Sequence, residues 1–378
     1  MSILERQVQF AFLENPNLLE SVIGFSTSLI AAYLDISAWG FSGQIDFVLA
    51  DSSQKKYIAE LEMVVSGQSK VEHVVEQVAR YNEAAHAIYS SSDHLILILL
   101  ASESPQKWQT QIITQLNSLG IDHVLKKYEL AQLEKAYLET LERNEAVFGL
   151  QHEEIRQSAI ATLAQLNEIF AQFKQLDTDH MPITELFKHV SWRTHSSYRA
   201  RLNYAQFLGL IIIDENGTTQ LTATGRKFRD YTNIPYREPG GRYFDLSEPQ
   251  KRILRQNILV ELRTAPQINR LIMQIITFLQ YLVLIRGRYI PRSKKQPLPD
   301  GVIAIFRELT QKRESLTSGS IVDMIYWNAL YCRNLGLITI VDDGAFNRAL
   351  FTEDGTQFYR LISDLINIRR EESKIAVF

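Results

Sequence analysis

The chain has a single cysteine in 378 residues, Cys332, set within an apolar, helix-like run. An intrachain disulfide framework is therefore impossible, and no Cys/His cluster points to zinc. Long hydrophobic runs are also missing. The longest, residues 275–285, is broken by Gln280 and is too short to span a membrane. The opening Met1-Ser-Ile-Leu-Glu-Arg has neither the basic flank nor the apolar core of a signal peptide. These absences predict a cytoplasmic protein without a membrane partner. A strong excess of one charge is lacking too: the formal net charge is −3, which does not by itself announce a nucleic-acid binder.

What is present is a globular composition, 46% hydrophobic and 22% charged, with length for two or three domains. The charge is unevenly spread. Residues 1–150 hold 10 Lys+Arg and 19 Asp+Glu, and the remainder hold 30 and 24. An acidic N-terminal part and a basic C-terminal part suit an enzyme whose affinity for DNA comes from outside its catalytic region. Chance variation between domains produces the same asymmetry.

Residues 43–81 carry the densest chemistry. Gly43-Gln-Ile-Asp46-Phe-Val-Leu alternates weakly with period two, and residues 51–56 form a polar turn. Residues 58–65 read as a second strand. In that hairpin Asp46, Glu60 and Glu62 share a parity that allows all three carboxylates on one side. Clustered carboxylates repel, and burial raises their pKa values; a divalent cation relieves both costs. Hard oxygen donors favour Mg²⁺, Mn²⁺ or Ca²⁺ over zinc, and the backbone carbonyl of Leu61 is a further candidate ligand. An amphipathic hairpin with a solvated acidic face fits the same residues.

Asp, a spacer and Glu-x-Glu across a hairpin resemble the PD-(D/E)XK nuclease signature. The following helix carries Gln77-x-x-x-Tyr81, similar to a motif of several branches of that superfamily. Upstream, Leu4-Glu5-Arg6 and Phe12-Leu-Glu-Asn-Pro-Asn-Leu-Leu19 resemble the NucS-like branch, which also has Gly-x-Ile-Asp on its first catalytic strand. The resemblance covers residues 1–128, about a third of the chain. It implies an α/β restriction-endonuclease-like core, a mixed sheet flanked by helices. It also implies Asp46 and Glu60 as catalytic metal ligands, Glu62 as a further catalytic residue that binds metal or serves as a base, Gln77 and Tyr81 as braces, and Glu5 as an additional acidic residue. The cofactor implied is Mg²⁺, with Mn²⁺ as a substitute. Glu62 stands where the family usually has lysine; glutamate there occurs both in active restriction enzymes and in members that have lost activity.

Along the chain, residues 3–14 read as a helix ended by Pro16, and residues 25–35 as an ambiguous, strand-rich segment. Residues 69–87 show helical spacing, residues 93–100 a buried strand, residues 108–119 a helix capped by Gly120, and residues 121–125 a short strand. Residues 129–176 read as a helical connector. Two later segments share a plan. Residues 182–231 and 302–365 each have a helix, then Leu-Gly-Leu-Ile, a turn at Asn216-Gly217 or Asp342-Asp-Gly344, and Thr-x-x-Gly-x-x-Phe. Both resemble winged-helix domains, giving expected domains of 1–128, 129–176, 177–235, a helical and basic linker over 236–300, and 301–378.

The first of these has the stronger claim on DNA. Arg193, His195, Ser196, Ser197, Tyr198, Arg199, Arg201 and Asn203 crowd the start of its second helix, where base and phosphate contacts arise. The equivalent helix of the second is apolar, which suits packing or dimerisation. Arg288, Arg292, Lys294 and Lys295 lie in a stretch with five positive charges in ten residues, able to track a phosphate backbone or simply to be solvated. Taken together, the expectation is a metal-dependent, site-specific DNA endonuclease resembling type II restriction enzymes, acting on duplex DNA as a homodimer. The alternatives are a structure- or mismatch-directed repair or defence nuclease, and a DNA-binding regulator with an inactive nuclease fold.

Overall fold

The computed structural model describes residues 4–89, 94–148, 162–189, 195–239, 243–310 and 316–375. The chain forms two compact units. One comprises Met1–Asn144, Gln280–Arg288 and Ala349–Ser363; the other comprises Glu145–Leu279, Tyr289–Arg348 and Asp364–Phe378.

The first unit begins with α1 (Glu5–Glu14) and α2 (Pro16–Ile23). Pro16 occupies the first turn of α2, where a missing N–H costs nothing, and Gly24 closes that helix in the left-handed conformation at φ 89°. Then follow β1 (Ser28–Asp35), β2 (Gln44–Ala50), β3 (Lys56–Glu62), α3 (Gln68–Tyr89), β4 (His94–Ala101), α4 (Gln106–Ser118), β5 (His123–Tyr128) and α5 (Leu130–Phe148). The strands form one mixed sheet in the order β1-β2-β3-β4-β5. The first three are antiparallel neighbours; β3, β4 and β5 run parallel, joined by helical crossovers as parallel pairing requires. The ambiguous segment before residue 35 is thus a strand with a β-bulge between Leu29 and Ala31. The turn joining β2 to β3 is organised by Asp51, whose Oδ1 accepts from the backbone N–H groups of Ser53 (2.8 Å) and Lys55 (3.1 Å).

Val71, Val74 and Val78 of α3, with Ile112 and Leu116 of α4, pack on Val48, Ile58, Ile96, Ile98 and Leu100 of the sheet. Each such side chain contributes about 1.5–3 kcal/mol on burial, so this apolar layer carries much of the unit's stability. The last strand begins two residues later than its composition suggests. The N–H of Ile121 is taken by the Leu116 carbonyl (3.1 Å), closing α4 around Gly120, and is thereby lost to sheet pairing. Glu14 is completely buried in this unit, where Arg143 and the Tyr359 hydroxyl both donate to it.

In the second unit the connector expected over 129–176 continues, beyond α5, as α6 (Leu166–Gln175); Gly149 lies outside the described residues. Next come β6 (His180–Pro182), α7 (Ile183–His189), α8 (His195–Phe207), β7 (Ile211–Ile213), β8 (Thr218–Leu221) and α9 (Ala223–Asp230), the strands forming a sheet in the order β6-β8-β7. After α10 (Glu248–Thr264) and α11 (Arg270–Leu284), α12 (Asp300–Thr310), α13 (Ser318–Asn334), β9 (Ile338–Asp343), β10 (Phe346–Phe351) and α14 (Glu353–Ile375) repeat the helix–helix–hairpin–helix order; the end of α11, the end of β10 and the start of α14 belong to the first unit.

Physical reasons stand behind the shared motifs. Thr222 Oγ1 caps α9 by accepting from Gly225 N (2.9 Å), and Thr352 Oγ1 accepts from Gly355 N (2.9 Å) at the matching place. Helix α10 fastens both Leu-Gly corners: Asn257 donates to the Leu208 carbonyl (2.7 Å) and Arg255 to that of Leu335 (3.0 Å). Tyr204 and Tyr331 each stand four residues before their corner, and their hydroxyls meet at 3.0 Å. The two repeats therefore pair through equivalent residues.

At Gly225 the carbonyl oxygen of Leu210 lies 1.9 Å from where a Cβ would sit, so α9 approaches the corner only because that atom is missing. Gly225→Ala should lower unfolding free energy by at least about 2 kcal/mol, a backbone overlap that side-chain rotation cannot relieve. Urea denaturation of the variant beside wild type measures it; a change within experimental error contradicts the close approach.

Candidate active site

Antiparallel register pairs Phe47 with Ala59 and Val48 with Ile58, which carries Asp46 opposite Glu60. Glu62 follows two residues on, on the same side of β3. The parity expected from sequence thus gathers Asp46, Glu60 and Glu62, and all three are buried, at 3–4% exposure. A solvated acidic face is ruled out by that burial.

Each carboxylate is held differently. Asp46 Oδ1 accepts from Gln9 Nε2 (2.7 Å) and its Oδ2 from the backbone N–H of Leu61 (2.9 Å). Leu61, a candidate ligand through its carbonyl, therefore engages the site through its amide. Gln77 and Tyr81 lie one turn apart on α3 and share a face. Gln77 Nε2 donates to Glu60 Oε1 (2.5 Å) and to the Tyr81 hydroxyl (2.9 Å), which donates in turn to the Gln44 carbonyl (2.6 Å). The brace runs from Glu60 on β3 through Gln77 and Tyr81 of α3 to the start of β2. The other oxygen of Glu60, Oε2, is buried with no hydrogen-bond partner among the described residues. Glu62 pairs with Lys70 Nζ at 2.8 Å.

Three residues missed by sequence reasoning, Gln9, Lys70 and Arg286, complete the site. Lys70, at the start of α3, supplies a cation beside the position where the resembled family has lysine. Arg286 arrives from the end of α11: it pairs with Glu5, donates from Nε to Gln9 Oε1 (3.0 Å), and stands 4.0 Å from Asp46 Oδ1. Arg286 is a non-glycine residue at φ 52°, a conformation costing about 1–2 kcal/mol. Gln9 was legible in principle, four residues after Glu5 on one helix face. Arg286 was not, since 240 residues separate it from Asp46.

Desolvation dominates the electrostatics. Burial raises Asp46 from 3.8 to about 7, against the opposing pull of Arg286 and the Leu61 amide. Burial and the charges of Asp46 and Glu62 push Glu60 well above the usual carboxylate range. Glu62 is raised by burial and restrained by Lys70. Among the described residues no group of three or more His, Cys, Asp or Glu is arranged to hold a metal ion. Glu62 is committed to Lys70, and both Asp46 oxygens are engaged. The unpartnered Glu60 Oε2 beside Asp46 nevertheless offers the hard oxygen donors that a divalent cation takes.

The expected DNA-facing residues fare unequally. Arg193 lies outside the described residues. His195, Ser196, Ser197, Tyr198 and Arg199 fall in the opening turns of α8, and Asn203 is half-buried further along. Arg201 is corrected: it is buried and donates to Gln165 Oε1 (3.0 Å), so it packs the unit instead of facing a ligand. Arg292 is also tied down, bonding Asp342 and the Gly344 carbonyl across the β9–β10 turn. Arg288, Lys294 and Lys295 are exposed. Among the described residues no helix is long and apolar enough to cross a membrane.

The class defined by these coordinates is an α/β core, a helix-flanked mixed five-stranded sheet with buried carboxylates on two adjacent strands. No family model, curated protein or solved structure matches the chain.

Raised carboxylate pKa values mean that the folded chain binds protons the unfolded chain does not. Their contribution is most favourable below the ordinary carboxylate range and is lost as pH rises through the folded values, about 7 for Asp46. Without divalent ions, the melting temperature should therefore fall between pH 5 and pH 8, and Asp46→Asn should flatten that fall. Calorimetric scans in chelator across this range test it; a wild-type melting temperature that rises with pH would sink the assignment.

Proposed function

We propose that this chain is a metal-dependent DNA endonuclease of the PD-(D/E)XK type, with a catalytic core in the first unit and winged-helix modules in the second. The observation that carries the proposal is the buried Asp46–Glu60 pair on adjacent strands, with one Glu60 oxygen unpartnered and the other held by the Gln77–Tyr81 brace. Burying two carboxylates this way costs stability, and a site that tolerates the cost is better explained by chemistry than by folding. Asp46 and Glu60 would hold a Mg²⁺ ion, for which Mn²⁺ can substitute; such an ion lowers the pKa of its water and neutralises charge on a phosphodiester. Glu62 and Lys70 act as a pair beside it. Tyr81 and Gln77 fix Glu60 in place, and α3 and the sheet exclude bulk water.

The second unit supplies DNA affinity. Its net basic composition, the opening turns of α8 and the exposed Lys294 and Lys295 support that division. Cutting both strands at once calls for two active sites, and a homodimer matched to duplex symmetry supplies them. The neutralisation of Glu62 by Lys70 favours a second reading, a DNA-binding regulator whose nuclease-like core is inactive.

Incubating supercoiled plasmid with the protein and Mg²⁺, then sequencing the ends, separates the readings. Discrete fragments support a site-specific enzyme, and nicking confined to mismatched or branched DNA supports repair or defence. Binding without cleavage supports the regulator. If the enzyme reading holds, Asp46→Ala and Glu60→Ala should each lower the cleavage rate by at least about a hundredfold while DNA binding persists. Wild-type rates in either folded variant remove this site from consideration.

For the second unit, Arg199→Ala and Asn203→Ala should each cost about 1–3 kcal/mol on a preferred site and relax its sequence preference. Exchanging Lys294 and Lys295 for glutamine should weaken all sequences alike. Gel-shift titrations on specific and random duplexes distinguish the two classes, and identical behaviour of both would refute the division of labour.

A further inference from the structure

Arg286 is delivered to the acidic site by a backbone with little freedom to move. The Gly287 N–H bonds the Leu282 carbonyl (2.8 Å) at the end of α11, and the Gly287 carbonyl accepts from Ala349 N (2.8 Å). Gly287 has φ 71°, and a Cβ there would stand 2.0 Å from the Ala349 carbonyl oxygen, so only glycine fits. The side chain is less confined: its guanidinium is about one-third exposed and reaches Glu5, which is similarly exposed. A root fixed by backbone bonds, with a head held by the side chains of Glu5 and Gln9, suits a cation that occupies a site in one state and leaves it in another.

The head lies over the atom an incoming ion would need. Asp46 Oδ1 is covered by Gln9 Nε2 at 2.7 Å and faces the Arg286 guanidinium at 4.0 Å, while Gln9 is itself held by Arg286 Nε. Asp46 Oδ2 is committed to the Leu61 amide. Asp46 and the unpartnered Oε2 of Glu60 would hold the ion, and Asp46 Oδ1 becomes available to it only if this clasp opens. A positive charge at such a range also opposes a second one directly.

We propose that Arg286, clasped with Gln9 over Asp46, is the resident counter-cation of the acidic site, and that a divalent ion enters by displacing it. This rests on the metal-dependent reading above. Arg286 thereby regulates the site: it keeps the carboxylates together before the ion arrives and sets the concentration at which loading occurs. Once displaced, the guanidinium swings toward solvent and remains at the mouth of the site.

The probe is Mn²⁺ alone, titrated by calorimetry into the full-length chain at constant pH and salt. Arg286→Gln should bind Mn²⁺ at least about fivefold more tightly than wild type, the share a unit charge accounts for even when water screens it. Arg286→Lys, which keeps the charge, should stay close to wild type. Lys135→Gln removes an equal charge from the surface of the same unit and should change nothing. A second measurement needs no variant: phenylglyoxal labelling of wild-type Arg286, followed by peptide mass mapping, should quicken when Mg²⁺ replaces chelator. Tighter binding by Arg286→Gln, including binding where wild type shows none, supports displacement, as does faster labelling. Equal Mn²⁺ affinity in wild type and Arg286→Gln, or labelling indifferent to Mg²⁺, overturns displacement alone. Mn²⁺ binding by neither chain overturns both displacement and the metal-dependent reading.

Discussion

Desolvation of the carboxylates on β2 and β3 is the constraint around which the first unit is arranged. Asp46, Glu60 and Glu62 are nearly inaccessible, and an isolated buried carboxylate is among the most expensive groups a protein can hold. Four neighbours offset part of that expense: the Leu61 amide and Gln9 on Asp46, Gln77 on Glu60, and Lys70 on Glu62. The offset is incomplete, since Glu60 keeps one unpartnered oxygen and all three pKa values stay raised. A purely structural core would have replaced these groups with apolar side chains at lower cost.

The compensating groups also explain why this unit uses distant pieces of chain. Arg286 and Gly287 come from residues 280–288, and Ala349, whose carbonyl packs on Gly287, comes from 349–363. Tyr359 of that last segment donates to Glu14, a second buried carboxylate, on which Arg143 also converges. The unit's polar interior is thus completed by residues far from the sheet in sequence.

Beyond the five-stranded sheet the organising feature is repetition. Two helix–hairpin–helix segments meet through Tyr204 and Tyr331, equivalent residues, and α10 bonds the same corner of each. The apolar character of α13, which pointed to packing or dimerisation, has an internal use: Tyr331 and Cys332 are buried within the chain itself. Arg201 shows the complementary lesson. Its neighbours in sequence gave it the look of a nucleic-acid contact, yet the helix turns it inward to Gln165.

Local patterns were readable because their causes are local. Period-two alternation around Asp46, helical spacing from Val71 to Tyr81, Pro16 ending α1, Gly120 closing α4 and the Thr-x-x-Gly-x-x-Phe caps all follow from backbone sterics and hydrogen bonding within a few residues. The shared side of Asp46, Glu60 and Glu62 was legible for the same reason, since strand parity needs no knowledge of the rest of the chain. The one-turn spacing of Gln77 and Tyr81 was equally plain. Tertiary structure alone decided which cation meets which carboxylate. Lys70 meets Glu62 across a bend, Arg286 meets Glu5 and Gln9 across more than 270 residues, Arg201 is buried against Gln165, and Arg292 bonds Asp342 at the surface. Charge pairing acts through space and carries no sequence period, so a run of basic residues looks the same whether it is solvated, buried or aimed at an acidic site.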